Sequence, residues 1–179
     1  MEECIIKSPL GFTKIIGDIN GIASVGVLND NTLVENYEGK TGNLSSSRQW
    51  KSKEKVTDII PDVLEDCVIQ LNEYFEGKRE QFSLKLNPQG TIFQKHVWEE
   101  LQNIPYGKTT SYLSLSKKLG DVKAIRAVAN ANGKNPLWII IPCHRVIGSD
   151  GSLTGYASGL HRKQWLLEHE SPYKQQSLF

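Results

Sequence analysis

The spacing of apolar residues changes period near the middle of this 179-residue chain, and that change restricts the folds open to it. Short apolar runs come first: Ile5-Ile6, Thr13 to Gly17, and Ile22 to Val27. The turn sequences Ser8-Pro9-Leu10-Gly11 and Asp18-Ile19-Asn20-Gly21 separate them. Alternation broken by an Asn-Gly turn predicts an antiparallel meander. Residues 39–54, rich in Gly, Ser, Asn, Lys and Gln around Trp50, predict a loop. A helix is expected over 58–76, with Ile59, Val63, Val68, Leu71, Tyr74 and Phe75 at helical spacing and Gly77 ending it. Residues 78–88 read as a linker with one short strand, Phe82-Ser83-Leu84.

Helical spacing dominates the rest. Thr91 to Leu101 is amphipathic and stops before Pro105. Thr109 or Thr110 is expected to cap a helix over Ser111 to Leu119, closed by Gly120. Asp121 is expected to cap a second one, Val122 to Asn132. Two short helices meeting at Gly120-Asp121 predict a helix-turn-helix. A last helix is expected from about Leu160 to His169. The fold class is α/β of the α+β type in two domains: a strand-rich support domain over 1–87 and a mainly helical domain over 88–179.

The charge divides at the same place. Residues 1–87 carry 10 Lys+Arg against 14 Asp+Glu, net −4, and residues 88–179 carry 11 against 6, net +5. The second half therefore suits a polyanion better than the first. Three cysteines (Cys4, Cys67, Cys143) without CxxC spacing argue against a disulfide framework. Four scattered histidines lack zinc-site spacing. No signal peptide, membrane span or metal is expected, and a reducing, cytoplasmic setting follows.

Chemistry concentrates in Pro142-Cys143-His144-Arg145-Val146, directly after the apolar run Leu137-Trp138-Ile139-Ile140-Ile141. A thiol at the end of an expected buried strand, followed by an imidazole and a guanidinium, has the support and nearby base that a nucleophilic cysteine needs. In the helix before it, Ile125, Val128 and Ala129 can pack inward, while Ala124, Ala127 and Ala131 share another face. Small residues let a helix enter a narrow groove closely. Arg126, the long cation beside that strip, could fill the space of an extruded base or pair with a carboxylate.

The run from Ala124 through Asn135-Pro136, followed by Ile139 to Ile147, resembles the 6-O-alkylguanine-DNA alkyltransferases, also called methylated-DNA–protein-cysteine methyltransferases. The resemblance is strongest over about 90–170. Over 1–87 it is looser, resting on the strand-rich layout, the Ser8 to Gly11 turn and the Tyr74-Phe75-Glu76-Gly77 helix end. It implies a ribonuclease H-like first domain and a winged helix-turn-helix-like second one. The activity it implies is direct-reversal DNA repair without a cofactor, by a monomer acting on double-stranded DNA that carries alkylated guanine. Cys143 is then the acceptor, attacking the alkyl carbon in line and being consumed. His144 is similar to the family's base, reaching the thiol through a water. Glu170 matches the carboxylate that fixes its tautomer. Asn135 matches the asparagine bracing the cysteine turn, Arg145 an arginine with a structural role, and Tyr112 the donor to the departing guanine. Spacing alone would make Tyr112 a core aromatic and Glu170 a solvated charge.

The resemblance assigns Tyr156, Ala157, Ser158, Ser149 and Val146 to the base pocket, with Tyr156 on a Gly-rich lid. Arg126, Ala127, Ala124, Ala131, Lys123, Thr110 and Ser111 fall to DNA, read from the minor groove, Arg126 replacing a flipped base. Two positions depart from the common pattern: Trp138 is usually a smaller apolar residue, and Ala157 a serine or arginine. Zinc-binding relatives use cysteines and histidines of the first domain, which here offers only Cys4 and Cys67 and no histidine. Three alternatives compete: a non-enzymatic sensor that binds and flips the damaged base, a helix-turn-helix regulator, and a thiol hydrolase. Sensors of this kind lack the acceptor cysteine. A regulator needs a sensing module, and a hydrolase leaves the alanine-faced helix unexplained.

Overall fold

The computed structural model describes residues 1–28 and 56–172. The loop expected over 39–54 lies outside them. Three strands, β1 (Glu2–Ser8), β2 (Gly11–Asp18) and β3 (Gly21–Val27), form an antiparallel sheet in that order, with a register shift at Ile16/Gly17. Cys4, Ile6, Thr13, Ile15 and Val25 point to one buried face, as two-residue alternation requires. Gly21 closes the second turn at φ +130, where a Cβ would meet the Lys85 carbonyl oxygen at 2.5 Å.

Helix α1 (Asp62–Phe75) covers this face. It starts four residues later than expected. Pro61 precedes its first turn, where a fixed φ is tolerated, and Asp62 and Glu65 suit the positive end of the dipole. Its buried stripe is Leu64, Cys67, Leu71 and Tyr74. Of the expected stripe Leu71 and Tyr74 are fully buried and Val68 and Phe75 pack against the core, but Ile59, outside the helix, is 83% exposed and Val63 is exposed as well. The strand expected at Phe82-Ser83-Leu84 is absent. The segment carries one isolated bridge, Leu86 with Ile22.

Helix α2 (Ile92–Gln102) opens with a reciprocal capping box between Thr91 and Gln94. Strand β4 (Thr110–Ser111) follows, then helix α3 (Tyr112–Lys118), capped by Ser111 rather than by the expected threonines. Ser111 sits at the β-to-helix transition, so only its hydroxyl reaches the Ser114 N–H, at 3.0 Å. Gly120 (φ +90) turns the chain, and Asp121 caps a short 3-10 turn (Val122–Ala124) before helix α4 (Ile125–Gly133). The expected single helix is therefore two pieces. Strand β5 (Val146–Ile147) pairs parallel with β4, and α5 (Leu160–Glu170) ends the described chain's secondary structure.

A single hydrophobic cluster runs from the sheet and α1 through Val97, Trp98 and Leu101 of α2 to Leu115, Val128 and Leu137. The fold is mixed α/β: a small antiparallel sheet with its helix, joined to a mainly helical half. Val25 bonds to both sides of Leu137, accepting from Trp138 N–H at 2.9 Å and donating to the Pro136 carbonyl at 2.8 Å. Through that bridge the N-terminal sheet supports the cysteine segment.

Candidate active site

Leu137 to Ile141 is not a strand. The run is buried throughout, but Ile139 lies at φ +69, a conformation that costs a β-branched residue about 1–3 kcal/mol. The Ile140 N–H reaches back to the Trp138 carbonyl at 2.8 Å, closing a γ-turn about Ile139. A second tight turn follows at once. Pro142 has φ −80 and ψ 61, and the Cys143 N–H donates to the Ile141 carbonyl at 2.8 Å, an inverse γ-turn. The side chain of Asn135 braces both. Its Nδ2 donates to the Ile141 carbonyl at 2.7 Å, and its Oδ1 accepts from the Leu137 N–H at 2.9 Å. Two turns in succession bring Cys143 into a short 3-10 turn (Cys143–Arg145) facing a cavity instead of continuing into a sheet.

That cavity holds about 180 Å³. Cys143, Asn132, Asn135, Trp138 and Tyr156 line it, with Ala157 and Ser158 at the loop side and Ser24 to Val27 of β3 opposite. The Cys143 Sγ lies 4.0 Å from the Tyr156 hydroxyl and the residue is 6% exposed. Burial raises its pKa, offset in part by hydrogen bonds from Asn135 and Tyr156 and by the charge of Lys163. Cys143 is therefore a protonated thiol at neutral pH and needs a base.

His144 is fully buried. Burial, with the charges of Arg145 and Lys163, lowers its pKa against the opposing pull of Glu170, so the ring is neutral. Its Nε2 is 2.8 Å from Glu170 Oε1. Burial alone would raise the Glu170 pKa, but hydrogen bonds from His144 and Arg145 and their charges hold it at about 2. A carboxylate can only accept, so Nε2 carries the ring proton and Nδ1 keeps its lone pair. Nδ1 has no hydrogen-bond partner among the described protein atoms. Glu170 also accepts from Arg145 at 2.7 and 2.9 Å, from the Tyr74 hydroxyl at 2.8 Å and from the Gly107 N–H at 3.3 Å. Arg145 is anchored further on the Ile104 carbonyl. The result is a buried imidazole–carboxylate–guanidinium cluster beginning at the residue after the thiol.

Tyr112 does not line the cavity. Its hydroxyl accepts from Asn132 Nδ2 at 3.3 Å, and Asn132 reaches both the cavity and the Cys143 carbonyl. Burial and the nearby Cys143 raise the Tyr112 pKa, which keeps its O–H intact. Val146 is buried and Ser149 exposed, and neither borders the cavity.

The outward face carries Arg126, Ala127 and Asn130 on α4 and Lys123 on the 3-10 turn before it. Ala124 is half-buried. Ala131, expected on the outer strip, is 2% exposed, and its carbonyl accepts from Trp98 Nε1 at 2.9 Å. Docking against α2 decides this: the Trp98 indole needs an acceptor, and the small Ala131 side chain lets it approach. Thr110 and Ser111 are half-buried at the start of α3. Among the described residues, no three His, Cys, Asp or Glu side chains come together as a metal site would require, and no helix is long and apolar enough to cross a membrane.

Sequence reasoning passed over Tyr74 as an active-site contact, Asn132, and the wholly buried Lys163. Only Asn132 carried a local signal, its position beside the Gly133 helix end.

Residues 2–88 match the family model for the 6-O-methylguanine DNA methyltransferase ribonuclease-like domain, and residues 92–172 that for the DNA binding domain. A methylated-DNA--protein-cysteine methyltransferase of Methanosarcina barkeri is 43% identical over 166 residues, spanning 93% of this chain and 94% of its own. One of Mycobacterium tuberculosis is 50% identical over 110 residues, 62% of this chain and 67% of its own. The crystal structure of Mycobacterium tuberculosis OGT in complex with DNA superposes with a TM-score of 0.76 at 38% identity, covering 95% of this chain and 92% of that one. With both halves matched in order and the likeness running nearly end to end, the chain belongs to the 6-O-methylguanine-DNA methyltransferase family.

Proposed function

We propose that this protein repairs DNA by direct reversal, moving the alkyl group of a 6-O-alkylguanine onto Cys143 in a single irreversible turnover. One observation carries the reading: a thiol lines a cavity of about 180 Å³, and the residue after it is a buried imidazole held by a buried carboxylate. The S–H proton passes to His144 Nδ1 through a bridging water, giving an imidazolium stabilised by Glu170. The sulfur pair forms the S–C bond, the C–O6 bond breaks, and its electrons move into the guanine ring. The family pattern makes Tyr112 the donor to that ring; from behind the cavity wall its hydroxyl is joined to Asn132, which does line the cavity, so it acts on the ring once the bound base reaches past that wall. No cofactor takes part, and the thioether ends the protein's activity.

A thiol cannot reach the alkyl carbon inside a stacked duplex, so the nucleotide is flipped into the cavity under the Tyr156 loop. The exposed face of α4 supports entry into the minor groove, with Ala127 allowing close approach, Lys123 near phosphate and Arg126 in the vacated stack. Residues 88–179 then act as the DNA-binding and acceptor domain and residues 1–87 as its support, in a cytoplasmic monomer. The test is intact mass after mixing the protein with duplex DNA containing one methylguanine. A gain of one methyl per protein, mapped to Cys143 and lost in Cys143→Ala while DNA binding persists, is expected. Tight binding without mass gain would make the protein a damage sensor instead.

A further inference from the structure

Lys163 is 0% exposed, yet no carboxylate among the described residues pairs with it. Its ammonium donates to the Val146 carbonyl at 2.6 Å and the Thr154 carbonyl at 3.0 Å. It also stands 6.0 Å from the ring centroid of Tyr112 and 5.8 Å from that of Tyr156, within cation–π range of both. A buried cation without a counter-charge is expensive, and a fold retains one where a negative charge arises.

The surrounding charges say where. Arg145 and Glu170 neutralise each other, and His144 beside them is neutral. Arg162, near Tyr156, is spent on the Leu10 and Ser158 carbonyls and lies partly in solvent. The site thus carries one uncompensated positive charge before reaction. Transfer of the Cys143 proton to His144 leaves that net charge unchanged but places a negative charge on the sulfur, which meets the hydroxyl of the same Tyr156 whose ring faces the Lys163 ammonium.

We propose that Lys163 is a positioning residue for transfer: its buried ammonium is a counter-ion of the Cys143 thiolate across Tyr156, and it ties the Thr154 end of the lid loop to β5. The inference rests on Cys143 being the alkyl acceptor. When the S–H proton leaves for His144, the electron pair stays on sulfur, with Tyr156 between it and the ammonium. Once sulfur is a thioether the ammonium is uncompensated again. By reciprocity, removing the thiolate must weaken the hold of Lys163 on its proton as much as removing the ammonium raises the thiol's.

The full-length protein is alkylated with iodoacetamide across a pH series, and modification of Cys143 is followed by mass mapping. Lys163→Met should move the midpoint of Cys143 alkylation up by about one pH unit and slow it about tenfold at neutral pH. Lys163→Arg should restore the profile. A lower melting temperature with an unmoved midpoint would overturn the proposal, leaving Lys163 a structural tie. A second measurement needs no variant: the 15N signal of the Lys163 ammonium, titrated before and after iodoacetamide modification of Cys143. Its midpoint should fall on modification, and an unchanged midpoint would refute the pairing. Neither readout involves DNA. A failure of methyl transfer from duplex DNA would therefore sink the functional reading separately.

Discussion

Replacing Glu170 by glutamine tests the centre of the site, because the two side chains differ by little more than charge. In the folded protein the Glu170 carboxyl titrates at about 2, against an ordinary value of 4.5. That difference corresponds to about 3 kcal/mol of folding stability at neutral pH. The sign follows from a depressed folded-state pKa: the contribution is complete above about pH 4.5 and lost as pH falls toward 2. By pH 3 about 2 kcal/mol of it is gone. Glu170→Gln also leaves Arg145, 6% exposed, without its anion, and such uncompensated charges cost about 3–5 kcal/mol. Urea unfolding of both proteins at pH 7 and pH 3 is the assay. The variant should be less stable by about 3–5 kcal/mol at pH 7, and the gap should narrow by about 2 kcal/mol at pH 3. Transfer should slow as well, since the imidazolium formed at His144 loses the carboxylate charge that stabilises it. A gap of equal size at both pH values would show that ionised Glu170 is not what holds the cluster together.

Other expectations are simpler. Arg126→Ala should slow repair in duplex DNA at least tenfold while leaving reaction with free alkylguanine nearly unchanged, as measured by single-turnover rates on both substrates. Asn135→Ala strands the Leu137 N–H and leaves the Ile141 carbonyl with the Cys143 N–H alone, so chemical denaturation should show a loss of about 1–3 kcal/mol, with slower transfer because the turns carrying Cys143 loosen. Leu64→Ala, in the fully buried interface of α1 with the sheet, should cost about 3 kcal/mol in the same assay without moving the pH profile of Cys143. DNA affinity should fall steeply with salt, and Lys123→Ala should reduce that slope by about one unit.

What the sequence made legible was chemistry and local punctuation. Cys143-His144-Arg145 stands out because adjacent thiol, base and cation are rare together, and the Asn20-Gly21 turn because its backbone demand is specific. The apolar run before Cys143 misled, since burial looks the same in a strand and in a knot of tight turns. The side chain of Asn135, not hydrophobicity, decides between them. Ala131 misled for a related reason: a small residue fits an outer groove and an inner seam equally well. Glu170 gains its role only from Arg145, His144 and Tyr74, and Tyr74 reaches it across 96 residues of sequence. Lys163 looks like an ordinary surface lysine of an amphipathic helix until both carbonyls that it binds are in place.

The bond between Tyr74 and Glu170, with that from Arg162 to the Leu10 carbonyl across 152 residues, also sets an order of events during synthesis. Contacts so distant along the chain close late, after the loops between them have given up their entropy. While a nascent chain still lacks α5, Cys143 has neither its oriented base nor its counter-charge. The acceptor thiol therefore gains its base only once α5 docks, and the single turnover waits on a contact made at the far end of the described chain.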